Sequence, residues 1–271
     1  MPTSGIEKSI HWVFKTFSPA IVVNAAAYKH VPMMEHHPEE AVKVNVLGTL
    51  NLLKASIEHG VERFVMISTD KAINPSSVMG ATKRTAEELV RFYNTRNHAR
   101  FISVRFGNVV GSRGSVIPTF QKQIAKGGPV TITHQDMKRY FMSIPEAVIL
   151  VLQAAASGEG GEIFLLDMGE PVRILTVAQE MIRLHGLVPD KDVPIVFTGI
   201  RPGEKLYEDL MTPLETGEQT SHPKIFRATN DTIKNDIMAQ VSRLERAAGE
   251  GNKPDIIATL KEIIPAYTPQ L

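Results

Sequence analysis

The sequence predicts an α/β protein built on a Rossmann-like parallel sheet, with a smaller carboxy-terminal substrate-binding lobe. Three observations carry that prediction. The β-branched, apolar runs at 20–24, 63–67 and 101–106 have the length and composition of buried strands. Amphipathic helical patterns separate them, one from Pro38 to Gly60 and one from Met79 to about residue 97. Strand, helix, strand, helix, strand at this spacing calls for right-handed parallel crossovers.

The elements follow in order. Residues 1–18 carry a helical pattern (Ile6, Ile10, Val13, Phe14, Phe17) closed by Pro19, and no strand precedes it. The strand 20–24 runs into Ala25-Ala26-Ala27-Tyr28-Lys29-His30, where small side chains either admit a flat ligand or let a loop pack tightly on a helix. In the helix from Pro38, the apolar positions Ala41, Val44, Leu47, Leu50, Leu53 and Ile57 include one amide, Asn45, and Gly60 suits a C-cap. A buried amide needs partners, so Asn45 is either a structural hydrogen-bonding group or part of a proton relay.

The stretch from Met66 to Lys83 concentrates the chemistry. The strand 63–67 ends in Ser68 and Thr69, followed by an acid, Asp70, and a base, Lys71. After the turn Asn74-Pro75-Ser76, the next helix carries Met79 and, one turn on and on the same face, Lys83. These proton-handling groups gather where a parallel strand ends, which is where open α/β sheets bind ligands.

Beyond the third strand, Gly107 to Gly114 could imitate a dinucleotide fingerprint, but three residues separate its first two glycines instead of one. A substrate-facing loop is the better reading. A helix is expected at 118–125, a strand at 130–133, a helix with Pro145 at its first position, a strand at 163–166, a helix at 175–185 and a strand at 195–197. The turn 199–205 gathers Arg201, Glu204 and Lys205. It is either a diphosphate site, because a guanidinium binds oxygens two at a time, or a solvated ion-pair loop. The tail looks helical at 232–248 and 255–264. The division expected is 1–128 for a partial dinucleotide-binding domain and 129–271 for a mixed lobe with returning segments.

Bulk properties exclude several classes. The chain has 271 residues, 43% of them hydrophobic, enough for a sizeable core. Its 30 basic and 29 acidic residues nearly cancel and form no long run, so no nucleic-acid surface is expected. Absence of cysteine excludes disulfides and thiolate metal sites. No apolar stretch approaches the roughly 18 residues of a membrane helix, and no signal-peptide core is present; a cytoplasmic location is expected. Neither His30 nor His36-His37 has partners at metal-ligand spacing, so no metal is expected.

Ser68-Thr69-Asp70-Lys71 followed by Met79-Gly80-x-x-Lys83 resembles the extended short-chain dehydrogenase/reductase superfamily. Within it, the chain is similar to the capsular-polysaccharide group of UDP-N-acetylglucosamine 4,6-dehydratases in which methionine replaces the usual catalytic tyrosine. Residues 25–32, 45–49, 105–109, 139–147 and 201–206 match that group's pattern in its order, and the resemblance covers roughly 6–230. One departure stands out: no G-x-x-G-x-x-G turn precedes Ala25. The sequence thus resembles the carboxy-terminal two-thirds of such an enzyme, with weak dinucleotide binding expected. Larger members carry an amino-terminal membrane part.

The resemblance implies a reaction: transient oxidation at sugar C4, loss of water across C5 and C6, and return of the hydride to C6. It implies NAD or NADP as cofactor and a UDP-sugar as substrate. Lys71, with a lowered pKa, would be the base at C5 and Asp70, held neutral, the acid at the 6-hydroxyl, although the two could exchange roles. Thr69 would orient the 4-hydroxyl and Lys83 would hold the nicotinamide ribose. Met79 cannot pass a proton. Ala25, Ala26, Ala27, Lys29 and Ser68 would adjoin the cofactor, and His30, Asn108, Arg139, Arg201 and Glu204 the substrate. Homo-oligomerisation is expected through helices 38–59 and 79–97. The competing readings are an epimerase on the same scaffold, which would normally want tyrosine at 79, and a catalytically silent fragment that binds nucleotide-sugar or dimerises.

Overall fold

The structure is a computed structural model that describes residues 3–96, 99–112, 114–209, 217–228 and 237–269. A first helix, α1 (Thr3–Phe17), leads to β1 (Ile21–Asn24), α2 (Val31–His36), α3 (Pro38–Ala41), a π-turn (Val42–Leu47) and α4 (Gly48–Glu58). Then come β2 (Arg63–Ile67), a 3₁₀ turn (Asp70–Ala72), α5 (Val78–Asn94), β3 (Arg100–Arg105), β4 (Asn108–Val109), α6 (Val116–Ala125) and β5 (Val130–Ile132). The remainder comprises β6 (Lys138–Arg139), β7 (Phe141–Met142), α7 (Ile144–Ser157), β8 (Ile163–Leu166), β9 (Val172–Arg173), α8 (Ile174–Leu184), β10 (Ile195–Phe197), β11 (Gly217–Gln219), β12 (Ile225–Ala228), α9 (Ile237–Glu250) and α10 (Lys253–Ile263).

The main sheet has the order β1-β2-β3-β8-β12-β11. Its first four strands are parallel, and β12 and β11 run antiparallel to their neighbours. Val23 sits opposite Val65 and Val65 opposite Ile102, which keeps the apolar alternation in register across three strands. Successive side chains point to opposite faces. Phe64, Met66 and Phe101 therefore enter one core with α5, α9 and α10, while Val65, Ile102 and Val104 enter another with α7. The fold is α/β with a Rossmann-like parallel sheet.

A third core forms the smaller lobe, where Phe120 and Ile124 of α6 pack with Val130, Ile132, Ile174, Ala178 and Ile182 around the parallel pair β5-β10. Segments after it return to the main sheet as β12 and β11 and to its helical layer as α9 and α10. The strands β11 and β12 were not foreseen.

Several expectations need correction. The helix expected without interruption from Pro38 to Gly60 contains the π-turn Val42–Leu47. Asn45 lies inside it and is fully buried. Its amide accepts from the Tyr28 N–H at 2.9 Å and donates to the Tyr28 carbonyl and Thr82 Oγ1, both at 3.1 Å, tying the 25–30 loop to α5. Helix α7 starts at Ile144 behind the Ser143 cap, so Pro145 comes one position later than expected. Within the chain, α10 packs on α5, α9 and α10 pack on 38–47, and α4 packs on α1 and α5. Helices α9 and α10 bring their own apolar stripes, Ile237, Val241 and Leu244 on one and Ile256, Leu260 and Ile263 on the other. The expected helical residues Thr232–Asp236 and Asn97, and Arg113 of the glycine loop, lie outside the described residues.

Candidate active site

Parallel strands bring their carboxyl ends to one edge, and there a cleft of about 480 Å³ opens between the sheet and the small lobe. Past the end of β2 the chain turns at once. The Thr69 hydroxyl donates to Asp70 Oδ1 at 2.8 Å, and Lys71 Nζ donates to the same oxygen at 3.0 Å. Asp70 is 1% exposed, and its other oxygen has no hydrogen-bond partner. Gly107 faces that oxygen, and a Cβ there would lie 3.3 Å from it.

Helix α5 begins against this turn. Ser77 caps it by accepting from the Gly80 N–H at 3.1 Å, and the Val78 N–H donates to Glu35 Oε1 at 2.7 Å. Met79 and Lys83, one turn apart, both line the cleft, as their spacing requires. Lys83 Nζ donates to the Ile67 carbonyl at 2.7 Å. Burial pulls the Lys83 ammonium down to about 8, against the opposing pull of Glu87.

Ser68 lines the cleft, but its hydroxyl donates to Glu87 Oε1 at 2.6 Å. The same carboxylate takes a fork of two bonds from Arg105, both 2.7 Å, and one from Arg84 at 2.9 Å. Burial raises the Glu87 carboxyl, and Arg105, Arg84 and Ser68 outweigh it, holding it down at about 2. Glu87 and Arg105 thus form a satisfied, buried pair beneath the site.

The other candidates divide. Ala25, Ala27, Lys29 and His30 line the cleft. Ala26 is not part of the lining; its N–H turns to Asn24 Oδ1. Lys29 reaches Ser112 Oγ at 3.2 Å, and burial, with Lys71 nearby, lowers its pKa. The His30 ring fills the space beside Gly114, where φ is +69° and a Cβ would stand 2.4 Å from the ring. Asn108 Oδ1 is 3.5 Å from Lys71 Nζ, and Arg201 and Glu204 border the cleft. Arg139 also borders it, with guanidinium N–H groups bonded to the carbonyls of Lys138, Lys205 and Leu206 at 2.7, 2.8 and 3.2 Å. That arrangement anchors the 205–208 segment.

Lys71 corrects one expectation. Burial lowers its pKa, but the carboxylates of Asp70 and Glu208 more than reverse that, and the net direction is upward, not downward. Glu208 Oε1 stands 3.4 Å from Lys71 Nζ with its side chain 3% exposed. Sequence reasoning missed Glu208, as it missed Glu87. The available signal was an acid four residues past Glu204 in a segment already marked by Arg201, Glu204 and Lys205.

Among the described residues, one group has metal-ligating atoms within 4.8 Å of one another: His11, Glu58 and His59. It joins α1 to the end of α4, at the edge of the sheet opposite the cleft, and His11 and His59 already share a 3.4 Å contact.

Residues 6–230 match the family described as polysaccharide biosynthesis protein. The probable polysaccharide biosynthesis protein EpsC of Bacillus subtilis is 56% identical over 213 residues, which cover 79% of this chain and 36% of EpsC. The inverting UDP-N-acetylglucosamine 4,6-dehydratase of Campylobacter jejuni is 40% identical over 79% of this chain and 62% of its own length. The Thermus thermophilus UDP-glucose 4-epimerase, solved with NAD, is 25% identical over 77% of this chain and 74% of its own, with a TM-score of 0.67. The chain thus spans about a third of EpsC and under two thirds of the Campylobacter enzyme. With a family match over 6–230, the chain belongs to the polysaccharide biosynthesis protein family.

Proposed function

We propose that this chain carries the catalytic turn of a nucleotide-sugar 4,6-dehydratase acting on UDP-N-acetylglucosamine. One observation supports this most: an acid and an amine 3.0 Å apart on one strand-end turn, with a thioether, Met79, lining the same cleft. Elimination of water requires a base at carbon and an acid at the departing oxygen, and adjacent residues provide both. A thioether beside them fits a reaction in which position 79 moves no proton. Dehydratases and epimerases both stand among the relatives.

The cleft fits the nicotinamide half of a dinucleotide. Ala25 and Ala27 leave room near the backbone, and Lys83, fixed on the Ile67 carbonyl, presents an amine at the cleft wall. NAD or NADP, when bound, supplies hydride acceptance at sugar C4 and hydride return at C6. The chain's residues do the rest. Thr69 holds the 4-hydroxyl. The proton of that hydroxyl passes through the Thr69 hydroxyl to water as C4 is oxidised and later restores the proton that Asp70 gives up. Lys71 takes the C5 proton and returns it to C5 when hydride reaches C6. Asp70 gives its proton to the leaving 6-hydroxyl. A shift of one proton from Lys71 Nζ to Asp70 Oδ1 sets both roles at once: an N–H bond breaks, an O–H bond forms, and a neutral amine and a neutral acid result.

Lys29, Asn108, Arg201 and the lobe around Thr131 to Met137 border the remaining space, where the nucleotide diphosphate fits by charge. The test is deuterium exchange at C5 of the bound sugar in heavy water. Lys71→Ala abolishes it on this reading, and unchanged incorporation removes Lys71 as the base.

A further inference from the structure

Glu208 is the buried acid that the catalytic reading has not used. It lies beyond the resembling segment 201–206, and its side chain, 3% exposed, points Oε1 at Lys71 Nζ from 3.4 Å. Its loop is pinned from below: Arg139 bonds the Lys205 and Leu206 carbonyls and brings Nε within 3.7 Å of the same carboxylate oxygen. The second oxygen, Oε2, is buried and without a hydrogen-bond partner. A small enclosed space bordered by Lys71, Ser77, Arg139 and Glu208 adjoins it. A carboxylate buried with one oxygen unpartnered is costly unless a charge compensates for it.

We infer that Glu208 is a positioning residue for Lys71, a fixed carboxylate that orients the amine and stabilises the ammonium formed when Lys71 takes the C5 proton. The inference rests on the dehydratase reading for its chemical meaning. Two carboxylates touch Lys71, and only one can serve throughout. When Asp70 carries the proton destined for the leaving oxygen, its negative charge is gone and so is its pull on the amine. Glu208 has no part in the proton transfer to the leaving oxygen, and its carboxylate, 3.7 Å from Arg139 Nε, is aimed at the atom where positive charge develops. Such fixed charge, in a site screened from water, raises the proton affinity of a base without needing to reorganise during the reaction. The same logic pairs a carboxylate with the imidazole of a serine-hydrolase triad.

The charged groups around the pair are few. Lys71 faces Asp70, Glu208, Arg139 and, farther off, Lys29. Glu208 faces Lys71 and Arg139. Of these, Asp70 and Glu208 raise the Lys71 proton affinity and Arg139 opposes them, while Lys71 in turn lowers that of Lys29.

The experiment reads the Lys71 charge directly, without turnover. Lysines carrying ¹³C at Cε are titrated by NMR in the full 271-residue chain, with Lys71 assigned by its loss in Lys71→Arg. Glu208→Gln keeps the shape and removes the charge. It lowers the Lys71 midpoint by about one pH unit or more, a tenfold change in dissociation constant, while the Lys83 midpoint stays put and thermal unfolding remains cooperative. Glu208→Asp restores part of the shift. A Lys71 midpoint unchanged in a folded Glu208→Gln protein overturns the inference, and so does an equal displacement of Lys83, which would mark general disruption. Because this readout needs no product, absence of dehydratase turnover leaves it standing, and its failure leaves the dehydratase reading standing.

Discussion

Gly80 faces the Lys71 carbonyl so closely that a Cβ on residue 80 would stand 2.2 Å from the oxygen and 3.1 Å from Pro75 Cβ. The backbone here is helical, so the glycine serves close approach and not an unusual torsion. It lets the first turn of α5 press against the 70–72 turn, which fixes the separation between Met79 and Lys83 on one element and Thr69, Asp70 and Lys71 on the other.

Gly80→Ala tests that packing. The neighbour across the gap is backbone, which cannot rotate away, so the 70–72 turn or the start of α5 must move. The expected loss is about 1–3 kcal/mol in urea unfolding, with C5 exchange reduced at least tenfold (about 1.4 kcal/mol). An alanine variant with wild-type stability and exchange would show that the close approach does not set the site.

The Glu87–Arg105 pair predicts an acid-side dependence. Its carboxyl is held at about 2 against an ordinary 4.5. A depressed carboxyl contributes stability above the unfolded-state value, and that contribution is lost as pH falls from about 4.5 toward 2. Glu87→Gln removes the carboxylate from the buried Arg105 fork, at an expected cost of about 3–5 kcal/mol at neutral pH. The deficit narrows as the buffer is acidified through that window, and urea midpoints at successive pH values measure it.

Lys83 predicts the opposite limb. Its amine sits at about 8 when folded and at the ordinary 10.5 when unfolded. Between those values the unfolded chain binds more protons, so this group's contribution to stability rises with pH. Lys83→Met removes that rise: the difference in urea midpoint between wild type and variant grows in favour of wild type from pH 8 to 10.5. A difference that stays flat over this interval would contradict the lowered value.

The parallel sheet was legible because its strands are short apolar runs bounded by turn residues, and the helices between them keep one apolar face. The π-turn at Val42–Leu47 was not, since the 3.6-residue pattern on either side reads through an inserted residue and only the partners of Asn45 reveal it. Strands β11 and β12 escaped because their residues show no marked alternation; their place depends on β8, remote in sequence. At the site, the cluster from Ser68 to Lys83 was readable from local order. What sequence could not supply was charge. The upward shift of Lys71 comes from Asp70 beside it and also from Glu208, 137 positions away, and the role of Ser68 depends on Glu87, whose partner Arg105 comes from a third element. The Ile256 to Ile263 stripe of α10 was read as helix, but that it would pack on α5 became visible only in three dimensions.

Product analysis decides whether the turn Thr69-Asp70-Lys71 serves 4,6-dehydration. The chain is incubated with UDP-N-acetylglucosamine and added NAD⁺ or NADP⁺, and the sugar nucleotides are resolved by mass and NMR. A UDP-4-keto-6-deoxy sugar, formed by loss of one water, is the expected product, with none from Lys71→Ala. UDP-sugar bound with no such product, or a C4 epimer of unchanged mass in its place, would contradict it.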